Sequence, residues 1–225
     1  MQYQEKYRLK VKNQLALIET NWDLAQKRER FLLKFAINFA ICFMLYILAA
    51  HIIFLNRYRE AVTLDDPILK HLRPYDFSVP IFMLMYSGIM ISIYQLIPQP
   101  QRLYYAFRAF TALILLRTIF IFVTPIGPPH DLIALQDPFI DGVVGFRGQV
   151  LNDLFFSGHV ANLYLLAFIA RPGRIRNYLF TIAAIVSVLL VWQKVHYTAD
   201  VLAAPFFSYA CYSYFMKERT RVIPS

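Results

Sequence analysis

From residue 31 onward the chain alternates long apolar blocks with short polar runs. Six blocks approach or exceed the ~20 residues an α-helix needs to cross a bilayer: Phe31 to Leu55, Ser78 to Ile97, Leu103 to Thr124, Phe155 to Ala170, Tyr178 to Val195 and Tyr197 to Met216. Turn chemistry separates several of them, as in Pro98-Gln99-Pro100-Gln101. Residues 1–30 are charged, with Leu15, Ile18 and Trp22 at helical spacing. They predict an amphipathic helix that runs on into the first span, and a partner- or membrane-binding stripe is the other reading. The expected organisation is an N-terminal segment over 1–30, a membrane domain over 31–216 and a tail over 217–225. The fold class is all-α, a polytopic six-helix bundle.

Composition supports this picture. Apolar residues make up 58% of the chain and charged ones only 16%, which excludes an ordinary soluble domain. The net charge of +9 would suit nucleic acid, but the cations gather at span ends, where positive-inside topology explains them and no nucleic-acid partner is expected. With the N-terminus inside, fourteen Lys and Arg fall in inner segments and five in outer loops. Both termini are therefore expected in the cytoplasm. Some thirty polar residues precede the first apolar block, so no cleavable signal peptide is expected. Cys42 and Cys211 both lie inside apolar blocks and do not report on redox compartment.

Two polar stretches break the pattern at one end of the predicted bundle, on its extracytoplasmic or lumenal face. They are Asp153-Leu154-Phe155-Phe156-Ser157-Gly158-His159 and His196-Tyr197-Thr198-Ala199-Asp200. His196 and Asp200 share a helix face at i,i+4 spacing. A carboxylate on one imidazole nitrogen fixes the tautomer and leaves the other nitrogen to attack phosphorus. His159 then suits a general acid that protonates the leaving oxygen. Ser157 and Gly158, opening a helix, offer a hydroxyl and backbone N–H groups to phosphate oxygens. Arg117, two turns below Thr124, is a candidate cation, because an intramembrane arginine is costly without a function. The His-x-x-x-Asp pair with Asp153 or His159 would also suit a metal ion, and that alternative stays open here. Ser157 is a poor protease nucleophile, since Phe155-Phe156 precede it in place of a glycine turn.

These residues resemble a known superfamily. Ser157-Gly158-His159 and His196-Tyr197-Thr198-Ala199-Asp200 are similar to the last two signatures of the sphingomyelin synthases, and more distantly to the type 2 phosphatidic acid phosphatases. Leu116 to Ile119 through Val123-Thr124-Pro125 resembles a synthase motif ending the third span, and Asp153 matches an acidic residue before the synthase Ser-Gly-His. The resemblance implies His196 as nucleophile, Asp200 as its activator and His159 as proton donor, with no metal or cofactor. It places Arg117, Asp153, Ser157, Gly158 and Tyr197 in the substrate-binding set. The implied partners are a phospholipid donor and a lipid acceptor, ceramide or diacylglycerol. The Lys-x6-Arg-Pro signature of the phosphatases is absent, since Arg171-Pro172 follows the Ser-Gly-His. Apolar residues in the 125–154 loop (Leu132, Ile133, Leu135, Phe139, Ile140, Val143, Val144 and Phe146) would form a water-excluding lid, hinged at Gly142, Gly145 and Gly148. Head-group transfer is therefore expected over hydrolysis. A phosphatase and a non-catalytic lipid-binding or transport protein are the alternatives.

Overall fold

The computed structural model describes residues 2–56, 58, 61–137 and 155–222. Seven α-helices run through the described residues: α1 (Gln2–Gln26), α2 (Phe31–Asn56), α3 (Ser78–Leu96), α4 (Pro100–Val123), α5 (Gly158–Ile169), α6 (Arg174–Trp192) and α7 (Thr198–Val222). The described chain has no strand, only an isolated parallel bridge between Val62 and Ile126.

Helix α5 is the axis of the bundle, packed against α3, α4, α6 and α7. It is apolar except where His159 and Asn162 face a cavity, and Val160, Ala161, Leu163, Leu165, Ala167 and Ile169 are all buried. Small residues let its neighbours close in. A Cβ on Gly88 of α3 would lie 2.8 Å from Ile182 Cδ1 and 3.0 Å from Leu163 Cδ2. On α7, Ser208 Oγ reaches the Ala161 carbonyl of α5 at 2.8 Å, beside the buried Ala204. Helix α2 packs on α4 and leaves most of its surface outward. Phe31, Phe35 and Phe39 meet Tyr104 and Phe107 there.

Four of the six expected spans, α2, α3, α4 and α6, are long and apolar enough to cross a membrane. Helix α5 has 12 residues, a length of about 18 Å against the ~30 Å hydrocarbon thickness. Helix α7 has 25 residues, with Asp200 in its first turn and Lys217, Glu218, Arg219 and Arg221 near its end. The N-terminal helix departs from expectation. It stops at Gln26, and a turn with Arg30 at φ 58° separates it from α2. Asn21 Nδ2 and Trp22 Nε1 then donate to the Pro98 and Ile97 carbonyls at 2.9 Å, so α1 docks on the α3–α4 turn. Those carbonyls belong to a helix end, where partners from outside the helix are needed.

At the opposite end, the 61–77 and 124–137 segments tie down the helix termini. Val62 N–H donates to Pro125 O, and Gly127 N–H donates to Val62 O. Gln193, fully buried after α6, accepts from Phe77 N–H at 2.8 Å, while its Nε2 reaches Ser78 Oγ and the Ile133 carbonyl. Ile133 N–H donates back to Gln193 O, and Leu135 packs on the main core. This part of the expected lid is thus held down by packing and hydrogen bonds. Phe139, Ile140, Val143, Val144, Phe146, Gly142, Gly145 and Gly148 lie outside the described residues.

Candidate active site at the histidine end of the bundle

Three helix termini meet where the chemistry is expected: the start of α5, the end of α6 and the start of α7. The Ser157 N–H donates to the Asp200 carbonyl at 3.2 Å, which joins the two polar stretches directly. The His159 and His196 ring centroids lie 6.3 Å apart. His196 is 2% exposed and Asp200 is fully buried. The Asp200 carboxylate is aimed at His196, with Oδ2 3.6 Å from Nδ1. That is longer than a hydrogen bond, and such contacts in empty sites commonly tighten when substrate binds. The same Oδ2 accepts from Tyr197 N–H at 3.1 Å, which fixes the carboxylate. Asp200 Oδ1 and His196 Nδ1 have no hydrogen-bond partner among the described residues.

Arg117 joins this group from α4. Its Nη1 donates to the Phe156 carbonyl, immediately before α5. The guanidinium lies flat against Gly158, where a Cβ would come within 2.7 Å of Cζ and 2.9 Å of Nε and Nη1. The shortness of α5 explains the meeting. Arg117 sits six residues before the end of α4, about 9 Å along the helix. The start of α5 is recessed to that level, so the arginine meets a helix terminus and does not face lipid.

A cavity of about 420 Å³ opens from this point between α2, α3, α4 and α5. Arg117, Thr118, Gly158, His159, Asn162, Tyr86 and Asp137 supply its polar lining, and Ala49, Ile53, Phe82, Met85, Leu113 and Ile121 its apolar walls. Tyr86 Oη donates to Asp137 Oδ2 at 2.6 Å across the mouth.

The remaining expected residues fall elsewhere. Ser157 is buried and caps α5, its Oγ accepting from Val160 N–H at 3.5 Å. Tyr197 points away from the cavity, where its hydroxyl donates to Gly127 O at 3.0 Å and accepts from Leu64 N–H at 3.1 Å. Asp153 lies outside the described residues.

Two positioning groups went unread in the sequence. Gln193 is one. Asp66 is the other: from the 61–77 segment it accepts from Thr198 N–H at 2.8 Å and Thr198 Oγ1 at 3.2 Å, capping the helix that carries Asp200. It also accepts from Ile68 N–H and Leu69 N–H. Burial pushes the Asp66 carboxyl up, but these donors outweigh it and hold the group below its ordinary value. Asp65-Asp66-Pro67 reads as a turn, and nothing local to it shows which distant helix it caps.

The chain has no match among curated proteins. The family model described as PAP2 superfamily C-terminal matches residues 152–217, a stretch that carries His159, His196 and Asp200 but not Arg117, and this match supports the type 2 phosphatidic acid phosphatase superfamily and a lipid phosphatase- or phosphotransferase-type function.

Proposed function

We propose that the protein is a metal-independent lipid phosphotransferase of sphingomyelin synthase type, working through a phosphohistidine at His196. The observation that carries this reading is the convergence of two histidines and Arg117 near one helix terminus, with His159 and Arg117 lining a cavity that continues into the apolar bundle and His196 buried directly behind His159. An attacking nitrogen needs ~3–3.5 Å to phosphorus, and a general acid needs ~2.6–3.2 Å to the leaving oxygen. Together these are comparable to the separation of the two rings.

In the first step His196 Nε2 forms a bond to phosphorus and the bond to the lipid alkoxide breaks. His159 gives that oxygen its proton. Asp200 orients the imidazole through Nδ1 and balances the positive charge that develops on it. Arg117 neutralises charge on the non-bridging oxygens, the main electrostatic demand of phosphoryl transfer. In the second step the acceptor hydroxyl gives its proton to His159 and takes the phosphoryl group from His196. Residues 31–216 form the catalytic unit, with the site on the extracytoplasmic or lumenal side and the 1–30 segment in the cytoplasm.

Transfer requires a lipid acceptor to outcompete water. The apolar walls below His159 and the missing Lys-x6-Arg-Pro favour ceramide or diacylglycerol in that role. Hydrolysis is the second reading, favoured by the phosphatase superfamily match. Purified protein is incubated with head-group-labelled phospholipid, with and without acceptor lipid and with and without chelator. Labelled acceptor product that survives chelation is expected, and His196→Ala abolishes both product and covalent label. Dominant free phosphate or phospho-head group at saturating acceptor makes the protein a phosphatase. Activity lost to chelator and restored by zinc overturns the metal-independent mechanism.

A further inference from the structure

Below His159 the cavity walls become apolar, formed by residues such as Ile53, Met85 and Leu113. Two polar side chains interrupt them, the half-buried Asn162 on α5 and Tyr46 on α2, which is 51% exposed. Among the described residues neither the Asn162 amide nor the Tyr46 hydroxyl has a hydrogen-bond partner. An amide set against apolar walls is costly unless something bonds to it, so Asn162 calls for a ligand with matching chemistry, and the Tyr46 hydroxyl lining the same cavity offers a second donor.

The depth of Asn162 indicates what that chemistry is. It follows His159 by three residues on α5, on the same helix face and about 4.5 Å further along the axis. A lipid whose phosphate rests at His159 and Arg117 carries its first acyl carbonyls only a few bonds away, at a similar depth. Glycerophospholipids hold an ester carbonyl there, and ceramide-based lipids an amide. Polyprenyl phosphates and water-soluble phosphate esters hold neither.

We propose that Asn162 and Tyr46 form a subsite that hydrogen-bonds the acyl carbonyl next to the phosphate-bearing backbone, making acyl phospholipids the substrate class. The Asn162 NH2 and Tyr46 hydroxyl donate to the carbonyl oxygen, and the Asn162 carbonyl accepts the N–H of an N-acyl lipid. The subsite rests on the phosphotransfer reading for the position of the phosphate.

The test compares lipids that share one head group: a diacyl phospholipid, an N-acyl sphingoid phospholipid and a dialkyl-ether phospholipid with no carbonyl. A polyprenyl phosphate is the fourth arm. Turnover is measured on wild-type protein and binding on His196→Ala protein. Two hydrogen bonds predict about a tenfold preference for acyl over ether lipid in both measurements. A larger gain for the N-acyl lipid than for the diacyl lipid assigns the natural ligand to the sphingoid class, and the reverse assigns it to the glycerolipids. Asn162→Leu brings the acyl-to-ether ratio near one by lowering acyl-lipid turnover more than ether-lipid turnover, and Tyr46→Phe gives an intermediate ratio. Equal handling of acyl and ether lipids by wild type overturns the subsite, as does an equal loss on both lipids in Asn162→Leu or turnover of polyprenyl phosphate as fast as of acyl lipid. Acyl preference in binding without any turnover supports the subsite and overturns phosphotransfer instead.

Discussion

Gly158→Ala is the most informative single substitution in this protein. The added Cβ would lie 2.7 Å from Arg117 Cζ and 2.9 Å from Nε and Nη1. Ordinary contact is ~3.5–4.0 Å, so the guanidinium must retreat by about 1 Å. It is the far end of a flexible side chain, so neither backbone has to move. Alanine is also the better helix former by up to ~1 kcal/mol, so thermal stability should change little. Activity should not survive as well. A displacement of about 1 Å in a positioned group costs on the order of 10²-fold, and loss of a transition-state donor costs 10²–10³-fold. The assay is head-group transfer rate in parallel with melting temperature in detergent, repeated in an Arg117→Ala background. The expected result is about a 10²-fold loss with an unchanged melting temperature, and no added loss when Arg117 is already alanine. Gly88→Ala is the control, because its Cβ meets Ile182 and Leu163 in the core. It should cost about 1–3 kcal/mol of stability and leave the activity of the folded fraction intact. Wild-type turnover in Gly158→Ala, or the full loss persisting without Arg117, would refute the role given to that contact.

Three further outcomes are expected. His159→Ala should slow transfer by about 10²–10⁴-fold with an alkoxide leaving group. A substrate with an acidic leaving alcohol should recover much of that loss, and no recovery would mean His159 is not the proton donor. Asp66→Asn should lower stability by about 1 kcal/mol at neutral pH through the weakened cap on α7. The carboxyl is held below its ordinary value, so its contribution is complete above the unfolded pKa of about 3.9 and disappears as pH falls through the lower folded value. Melting curves of variant and wild type should therefore converge under acid, and a gap independent of pH would contradict the cap. For topology, a cysteine at Asp131, whose side chain is 78% exposed, should react with an impermeant thiol reagent from outside. A cysteine at the exposed Arg174 should not, and the reverse pattern would place the histidines inside.

Part of the site was legible in the sequence from spacing. The four-residue spacing of His196 and Asp200 suggests one helix face, but α7 begins at Thr198, so His196 sits in the bend before the helix and its ring meets the Asp200 carboxylate from there. A Ser-Gly pair before an apolar run marks a helix start, and α5 begins at Gly158 with Ser157 as its cap. The same serine is fully buried, and its Oγ accepts from Val160 N–H as the cap of α5.

Tertiary structure decided what depends on which ends meet. Periodicity gives the face of a helix but not its depth relative to its neighbours. Only the 12-residue length of α5, packed inside longer helices, brings its start level with Arg117. The same holds for Gln193 and Asp66, which reach Phe77 and Thr198 across 116 and 132 residues of sequence. Their hydrogen bonds satisfy orphaned helix termini, and a terminus advertises its need without naming the residue that will meet it. The sequence by itself determined the apolar helices and the pairing of His196 with Asp200. The fold determined how deep the histidines sit, which cation joins them and which loops hold them there.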